Sequence, residues 1–365
     1  MSEWQTFCLK DLGKIIGGAT PPTNNPKNYG NKISWITPKD LSTLQGRYIK
    51  KGSRSISRLG FKSCSCVLLP KHAILFSSRA PIGYVAIAEK RLCTNQGFKS
   101  IIPNKKIYFE FLYYLLKYHK DNISNIGGGT TFKEVSGATL GLFKVKIPPT
   151  YHEQQKIART LSVLDQKIEN NHKINELLHN LTHKVYGYYF KYKPKNAKLE
   201  QIIIENPKSS IMVKNAQKTQ DKYPFFTSGD NTLSYPKAII DGRNCFLNTG
   251  GNAGIKFYVG KASYSTDTWC IGANEFSDYL YLLLSSIKTH INQSFFQGTS
   301  LKHLQKNLLK KYPIYMPSVH EIKKFNQIIM PLLTLISINT RTSKKLEQIR
   351  DFLLPLLLKQ QVKPQ

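Results

Sequence analysis

The sequence predicts an α+β fold with an internal pseudo-twofold repeat, in which two globular mixed α/β domains are separated by two long antiparallel α-helices that form a coiled coil. Two observations predict this architecture. A Ser/Thr-x-x-Glu sequence stands before a long amphipathic run at residues 150–153, and again before a second run at residues 318–321. The segments that precede the two runs also match, at nearly the same offset along the chain. Repetition of this kind indicates an internal duplication.

The two Ser/Thr-x-x-Glu sequences predict where the long helices begin. In this capping box, the hydroxyl and the carboxylate bind backbone amides that have no partner in the first helical turn. Pro149 and Pro317 stand just before the two boxes and disfavour helix in the residues that precede them. The expected domains are therefore residues 1–149 and 194–317, and the expected helices are residues 150–193 and 318–365.

The two long runs carry matching apolar seams. Apolar residues recur at steps of three and four, the spacing of a helix face that packs on another helix. Asn171 and Asn339 interrupt the seams at equivalent positions, with an extra three-residue step that predicts a local phase shift. Beyond Asn171, the seam is expected to continue through Ile174, Leu178, Leu181, Val185 and Tyr188. The predicted helix-pair seam includes Leu161, Leu164, Asn171, Leu178, Leu332, Asn339, Leu346 and Leu353.

Two readings of these helices remain open. Two ordinary amphipathic helices on separate cores would also show apolar periodicity. The matched polar break favours a mutual antiparallel pair, because a polar seam residue lowers stability but fixes register. Each run spans about 36 residues, which corresponds to a rod of about 54 Å.

Three short segments before each helix also correspond. Residues 75–83 match 246–254, residues 94–97 match 266–269, and residues 129–133 match 298–302. The first match reads in both halves as a strand that enters a turn of small residues. The frameworks agree while the loops differ in length, as expected of two units that bind different versions of one kind of ligand.

The charge of the chain indicates what that ligand is. Lys and Arg number 53 against 22 Asp and Glu, which gives a formal net charge of +31 and a pI near 9.8. Such an excess attracts polyanions, and nucleic acid is the expected partner. An anionic membrane surface is the competing partner. No stretch approaches 18 consecutive apolar residues and the first residues have no signal-peptide character, so we expect a soluble, cytoplasmic protein.

The sequence offers no catalytic motif. It contains neither a phosphate-binding G-x-x-x-x-G-K-[ST] loop nor a G-x-S-x-G elbow. The six cysteines include no C-x-x-C pair, so a zinc site is not expected. The acidic residues are scattered, which argues against a metal-dependent nuclease. We therefore expect a binding protein that has no catalytic residues, no metal and no cofactor of its own.

Several segments together resemble the specificity (S) subunit of type I restriction-modification systems. They are GGATP (residues 17–21), WITPKDL (35–41), SSRAPIG (77–83), TNQGFK (94–99) and PPTYHEQ (148–154). In the second half, residues 224–229 and 266–269 resemble the equivalent unit of a variant type. The resemblance covers nearly the whole chain. The halves depart from each other at Arg79, whose counterpart is Gly250.

The resemblance implies a function in DNA recognition without catalysis. Two target recognition domains would each read one half of a bipartite, asymmetric site on double-stranded DNA. The helices would set the spacing and dock two adenine-N6 methyltransferase (M) subunits, and restriction (R) subunits with ATP-dependent nuclease activity would join them. S-adenosylmethionine, ATP and Mg would then bind the partners. The alternatives are a stand-alone DNA-processing enzyme, such as a nuclease with an unrecognised active site, and an RNA-binding or membrane-surface scaffold.

Polar side chains in the matched turns are the candidate DNA contacts. Arg suits guanine edges, Asn and Gln suit adenine, and hydroxyls and lysines suit phosphate. The alternative is that the small residues bond their own backbone as turn formers. The strongest candidates are Arg79, Gln96, Lys133 and Lys302. The full set is Ser77, Ser78, Arg79, Asn95, Gln96, Lys99, Thr130, Thr131, Lys133, Asn248, Thr249, Asn252, Thr266, Thr268, Thr299, Ser300 and Lys302. The seam leucines are expected in the core, and partners on the outer helix faces.

Overall fold

A computed structural model describes residues 3–129, 133–216 and 222–364. The chain divides into two compact units. The first unit comprises residues 1–170 and 345–365, and the second comprises residues 171–344. Two 40-residue helices are each divided between the units, so that each unit contains part of both helices.

Within the described residues, the first unit contains ten strands, five complete α-helices and parts of both long helices. Its strands are β1 (Gln5–Cys8), β2 (Gly13–Gly17), β3 (Tyr29–Ile36), β4 (Tyr48–Ile49), β5 (Arg54–Ile56), β6 (Ile74–Phe76), β7 (Val85–Ala88), β8 (Cys93–Thr94), β9 (Lys99–Pro103) and β10 (Lys144–Ile147). Its α-helices are α1 (Leu9–Leu12), α2 (Pro38–Ser42), α3 (Arg58–Lys62), α4 (Phe109–Asn125), α5 (Gly137–Leu142), the first half of α6 (Tyr151–Phe190) and the last part of α10 (Val319–Leu358).

A five-stranded sheet of order β2-β9-β6-β7-β4 forms the centre of the first unit. Its middle strand, β6, is buried on both faces. Successive side chains of a strand point to opposite sides, so β6 contributes to two cores. Ile74 and Phe76 join the core under helix α4, while Leu75 packs with Ala86 and Phe98 on the other side. A second sheet, of order β5-β3-β8, and the antiparallel pair β1-β10 complete the unit.

The second unit repeats this plan with its own elements. Its strands are β11 (Ala197–Lys198), β12 (Ile204–Glu205), β13 (Tyr223–Phe226), β14 (Leu233–Tyr235), β15 (Arg243–Asn248), β16 (Ile255–Val259), β17 (Ser263–Tyr264), β18 (Thr268–Gly272), β19 (Phe296–Gln297), β20 (His303–Leu304) and β21 (Pro313–Ile314). Its helices are the second half of α6, then α7 (Ser277–Ser286), α8 (Lys288–Ser294), α9 (Lys306–Lys310) and most of α10 (Val319–Leu358).

The sheets of the two units correspond strand by strand. The order β12-β18-β15-β16 reproduces β2-β9-β6-β7, and β14-β13-β17 reproduces β5-β3-β8. Each of the three-stranded sheets contains one parallel pair, which aligns Ile36 with Thr94 in the first unit and Phe226 with Tyr264 in the second. The described part of the second unit has no strand equivalent to β4. The predicted internal repeat is therefore confirmed.

Both long helices begin at the predicted capping boxes. The hydroxyls of Thr150 and Ser318 accept the backbone N–H of Glu153 and Glu321 at 3.2 and 3.3 Å. The Glu321 carboxylate also accepts the backbone N–H of Ser318 at 3.0 Å and the Tyr315 hydroxyl at 2.7 Å. These hydrogen bonds, with a weaker contribution from Lys193, lower the pKa of Glu321 to about 2. The second box is therefore fully charged at neutral pH.

The two helices pair antiparallel in each unit. In the first unit, Ile157 and Leu161 near the start of α6 share a core with Leu357 near the end of α10. In the second unit, Phe190 at the end of α6 packs against Phe325 near the start of α10, with ring centroids 4.9 Å apart. The predicted α+β class with a long antiparallel helix pair is confirmed.

Asparagines join the helices at the polar break. Asn171 of α6 donates to the Ser343 hydroxyl of α10 at 3.1 Å, and Asn339 of α10 donates to Asn175 of α6 at 3.0 Å. The repeat that relates Asn171 to Asn339 also relates Asn175 to Ser343. The two hydrogen bonds are therefore equivalent under the repeat.

The predicted phase shift after Asn171 is wrong. Ile174, Leu181 and Tyr188 are exposed, with Tyr188 exposed to 87%. The α-helix continues without irregularity, so the face that includes Asn171 next presents Asn175, then Leu178, and the buried Thr182 and Tyr186. Tyr186 lies there because the end of α6 must also pack against Tyr279 of α7, at 5.9 Å between ring centroids.

A buried ionic network fixes the first unit's sheet on its helices. Arg47, whose side chain is 3% exposed, donates from Nη1 to Glu110 at 3.0 Å and from Nε to Glu169 of α6 at 3.1 Å. The Arg47 backbone N–H donates to the same Glu169 oxygen at 2.9 Å. Asp165 of α6 accepts Arg350 of α10 at 2.7 Å and the Tyr114 hydroxyl at 2.5 Å. Burial, with the Asp165 charge nearby, raises the pKa of Tyr114.

The second unit has an arginine anchor of its own. Arg243 of β15 pairs with the buried Asp278 and donates to the Thr334 hydroxyl of α10 at 2.9 Å. The Val259 backbone N–H, at the end of β16, donates to the Ser337 hydroxyl of α10 at 3.1 Å. Ser337 is the counterpart of Glu169 under the repeat, so the same helix position accepts a backbone amide of the neighbouring sheet in both units.

We predict that Asp165→Ala lowers the free energy of unfolding of the first unit by about 3 kcal/mol. The change removes the buried carboxylate that pairs with Arg350 and lies 4.0 Å from Nε of the buried Arg47. Asp351→Ala is the matched control. It removes the exposed partner of the same Arg350, at 2.8 Å, and is expected to cost less than about 1 kcal/mol. Urea denaturation of the two variants measures the difference. Equal losses would show that the buried network contributes no more than a surface pair.

Candidate nucleic-acid interface

Three turns that are distant in sequence meet in the first unit. We call residues 77–83, 94–98 and the described part of 127–135 the first turn cluster. Ser78 joins all three, because its backbone N–H donates to the Gly97 carbonyl at 2.8 Å and its carbonyl accepts the Val135 N–H at 3.0 Å. The cluster is thereby held as one surface at the end of the central sheet.

The second unit builds the same arrangement. We call residues 248–254, 265–268 and 297–304 the second turn cluster. The Thr249 backbone N–H donates to the Asp267 carbonyl at 3.2 Å, and the Thr249 carbonyl accepts the Leu304 N–H at 3.0 Å. Ser78 and Thr249 thus perform the same joining role at matched positions of the two units. The turns that match in sequence also occupy equivalent places in the two folds.

Three of the candidate hydroxyls bind the backbone of their own cluster, and a fourth binds the backbone of strand β13. Ser77 and Ser78 are fully buried, and donate to the carbonyls of Pro81 at 2.7 Å and of Gly97 at 3.3 Å. The Thr249 hydroxyl donates to the Asp267 carbonyl at 2.8 Å. The buried Thr268 donates to the Phe226 carbonyl at 3.2 Å. These hydrogen bonds shape the turns, so contact of the buried hydroxyls with DNA would require the turns to open.

The candidate amides divide between turn formation and exposure. Asn95 accepts the Gly97 N–H at 3.0 Å, and the buried Asn248 donates to the Asn252 carbonyl at 3.1 Å. The Asn248 Oδ1 atom has no hydrogen-bond partner within the described residues. Gln96 is exposed and accepts the Thr20 hydroxyl.

The remaining candidates that the structure describes are at least partly exposed. Thr266 is half-buried and donates to its neighbour Asp267 at 2.9 Å. Thr130 and Thr131 lie outside the described residues. Arg79 and Lys99 are partly exposed, and both bind Glu134. The exposed candidates in this group are Lys133, Asn252, Thr299, Ser300 and Lys302.

Two residues that sequence reasoning missed support the clusters. Glu134 pairs with Arg79 of the first cluster and with Lys99 next to it, and no local pattern around Glu134 indicates these contacts. Lys256 of β16 donates to the Thr227 carbonyl at 2.7 Å and to that of Gly229, and so holds the loop after β13. Burial lowers the pKa of Lys256. Lys256 lies opposite Phe246 of β15, and this position is known only once the pairing of the two strands is known.

The seam residues lie in or beside the cores. Leu161 is fully buried in the first unit, where Leu353 packs against the same core. Leu178 and Leu332 pack against the core of the second unit. Leu164 and Leu346 are half-buried. Leu164, with His152 and Arg159 of α6 and Leu357 of α10, lines a groove of about 740 Å³ in the first unit.

Two findings concern other kinds of site. No helix in the described part of the chain combines the length and apolarity needed to cross a membrane. Among the described residues, no group of three or more His, Cys, Asp or Glu side chains is arranged to hold a metal ion.

Comparison with known proteins identifies the family. The family described as "Type I restriction modification DNA specificity domain" matches residues 1–180 and 194–348. The chain belongs to this family. It is 33% identical to the type I restriction enzyme MjaIX specificity subunit of Methanocaldococcus jannaschii, over 98% of this chain and 93% of the relative. The HindI specificity subunit of Haemophilus influenzae is 31% identical over 46% of this chain and 37% of its own length.

A solved structure shows the same fold. The crystal structure of the type I restriction-modification S subunit from M. genitalium has a TM-score of 0.65 and 18% sequence identity, and covers 97% of this chain and 96% of that chain. The family model and the MjaIX relative confirm the family that the sequence resembles, and this specificity protein reads DNA as a member of it. The comparisons give no support to the stand-alone nuclease or to the RNA-binding scaffold.

We predict that Gly18→Ala disrupts the first turn cluster. A Cβ atom at Gly18 would lie 2.5 Å from the Thr94 carbonyl oxygen and still closer to that of Asn95, and these backbone atoms cannot move aside cheaply. We expect a loss of about 1–3 kcal/mol in unfolding free energy. Gly17→Ala is the control, since a Cβ there meets nothing within 4 Å. Amide hydrogen exchange should rise around residue 95 in the first variant only, and unchanged exchange would contradict the prediction.

Proposed function

We propose that the chain reads a bipartite, asymmetric site on double-stranded DNA, with each turn cluster contacting one half-site. The observation that carries the proposal is the repetition of one three-turn frame on a strongly basic chain. The frame is kept by equivalent backbone hydrogen bonds, while the exposed residues differ between the clusters. Two turn clusters that share one backbone frame but carry different exposed side chains suit a DNA target whose two halves differ in sequence.

The charge supports binding through phosphates as well as bases. A net charge of +31 attracts any duplex through counterion release, without regard to its sequence. Discrimination must then come from the exposed turn residues, which are the ones free to meet base edges. We assign the phosphate contacts to exposed lysines, among them Lys133 and Lys302, and the base contacts to Arg79, Gln96 and Asn252.

The long helices suit the docking of two methyltransferase (M) subunits and the setting of half-site spacing. Ile174, Leu177, Leu181 and Tyr188 form an exposed apolar stripe along α6, at steps close to the helical repeat. Exposed apolar side chains in a row mark protein contact surfaces. Methyl transfer, ATP-dependent translocation and cleavage then belong to the M and restriction (R) subunits, with S-adenosylmethionine, ATP and Mg.

The proposal predicts a binder that needs its partners for chemistry. The purified chain should bind duplex DNA with strong salt dependence, and should neither cut nor methylate it. With its methyltransferase partners present, adenine methylation should appear at one bipartite sequence, mapped by sequencing DNA from cells with and without the chain. Metal-dependent cleavage by the chain alone would favour the nuclease. Preference for RNA or anionic vesicles over duplex DNA would favour a scaffold.

We also predict that longer helices read a longer site. Four residues inserted after Asn170 in α6 and four after Lys344 in α10 fall at the unit boundaries, so contacts inside each unit are kept. Each insertion adds about 6 Å, which is near two base pairs. Methylation mapping should show the gap between half-sites lengthened by about two base pairs, with the half-sites themselves unchanged. Persistence of the original gap would refute a spacing role for the helices.

A further inference from the structure

Glu134 is positioned by the backbone of the first turn cluster. Its N–H donates to the Gly128 carbonyl at 2.9 Å, and its carbonyl accepts the Gly128 N–H at 3.1 Å. The next residue, Val135, donates to the Ser78 carbonyl at 3.0 Å. The Glu134 carboxylate is therefore presented beside the turn that carries Arg79, by a frame that does not depend on the carboxylate itself.

That carboxylate bridges two basic side chains. It accepts Arg79 Nη1 at 3.2 Å and Lys99 Nζ at 3.3 Å. The Arg79 and Glu134 side chains remain 38% and 32% exposed, so the ion pair adds little to stability. Its main physical effect is to restrict the orientation of the guanidinium. Because two cations share one carboxylate, the group keeps a net positive charge and still attracts DNA.

Arg79 retains the donors needed for base recognition. Its bond to Glu134 uses Nη1, and its other N–H groups have no acceptor among the residues that the structure describes. A guanidinium can donate two parallel hydrogen bonds to the O6 and N7 atoms of guanine in the major groove. Adenine presents a donor where guanine has O6, so an arginine held in this orientation discriminates between the two purines.

The second cluster keeps the frame and lacks the arginine. Gly250 occupies the position of Arg79, and His303 occupies that of Glu134. These two residues form a backbone bridge to each other, and Gly251 donates to the Lys302 carbonyl at 2.9 Å. The arginine and its carboxylate are thus replaced together in the second unit, as expected if they function as one group.

We propose that Arg79 reads a guanine in the half-site bound by the first unit, and that Glu134 is the positioning residue that orients it. The inference rests on the proposed function, since it assigns a base to one of the two half-sites. It also states which half-site each unit binds. The half-site with the arginine-read guanine belongs to the first cluster, and the second cluster reads its half-site by other contacts.

The test maps adenine methylation in cells that carry the partner subunits with the wild-type chain, Arg79→Ala, Arg79→Lys, Glu134→Gln or Arg58→Ala. Arg79→Ala should lower discrimination at one guanine of one half-site by roughly 5- to 150-fold. Arg79→Lys keeps the charge but not the paired donors, so it should lose discrimination at the same guanine. Glu134→Gln should relax that guanine to a smaller extent. Arg58→Ala removes an exposed arginine of the same unit outside the cluster and should leave the site unchanged.

A second measurement identifies the contacted atom. Duplexes that carry 7-deazaguanine, which lacks N7, at the assigned position should bind the wild-type complex more weakly, while Arg79→Ala should not respond to this change. Three results would overturn the inference: Arg79→Ala relaxing no position, Arg79→Lys behaving as wild type, or Glu134→Gln relaxing a different base pair. In each of these three cases the wild-type chain would still direct methylation to a bipartite site, so the proposed function would stand. Absence of any sequence-specific methylation with the wild-type chain would instead refute the proposed function.

Discussion

The attachment of each sheet to its helix is the constraint on which the reading surfaces depend. Glu169 of α6 and Ser337 of α10, at equivalent positions of the repeat, each accept a backbone N–H from the sheet beside them. An arginine in a buried ion pair completes each attachment: Arg47 with Glu110 and Glu169 in the first unit, and Arg243 with the buried Asp278 in the second. A bond to backbone is insensitive to side-chain replacement in the sheet, so the turn cluster is held on its helix while its own residues vary.

Within each cluster, backbone groups hold the turns together and exposed side chains are left available for DNA. The backbone groups of Ser78 and Thr249 hold three turns together, and their hydroxyls bond the same carbonyls that their amides bond. Because folding depends on these backbone contacts, the exposed positions around them can change without loss of the frame. Arg79 and Gly250 are such a pair of positions. The repeat therefore preserves geometry and leaves base contact free to diverge.

The sequence predicted what local chemistry determines. The capping boxes, the repeat and the family followed from short patterns, since each depends on residues that are near in sequence. The buried helix face beyond Asn171 was predicted wrongly. Tyr186, not Tyr188, is buried because it packs against Tyr279, which lies far away in the chain. The role of Glu134 depends on the turn at Arg79, which is distant in sequence, and no local pattern encodes that contact. Turn composition alone likewise did not separate the buried Ser78 from exposed candidates.

A highly basic chain faces a specificity problem that the clusters address. Non-specific attraction grows with the number of lysines near phosphate, and it favours every sequence equally. Specificity then requires groups whose interaction changes sharply with the base, which an unrestrained side chain on a flexible turn supplies poorly. A carboxylate shared by a lysine and an arginine cancels one positive charge, which weakens the non-specific attraction to phosphate. It also restricts the orientation of the guanidinium. Glu134 pairs with both Arg79 and Lys99. If Arg79 reads a guanine as proposed, the cluster exchanges some general affinity for discrimination at that position.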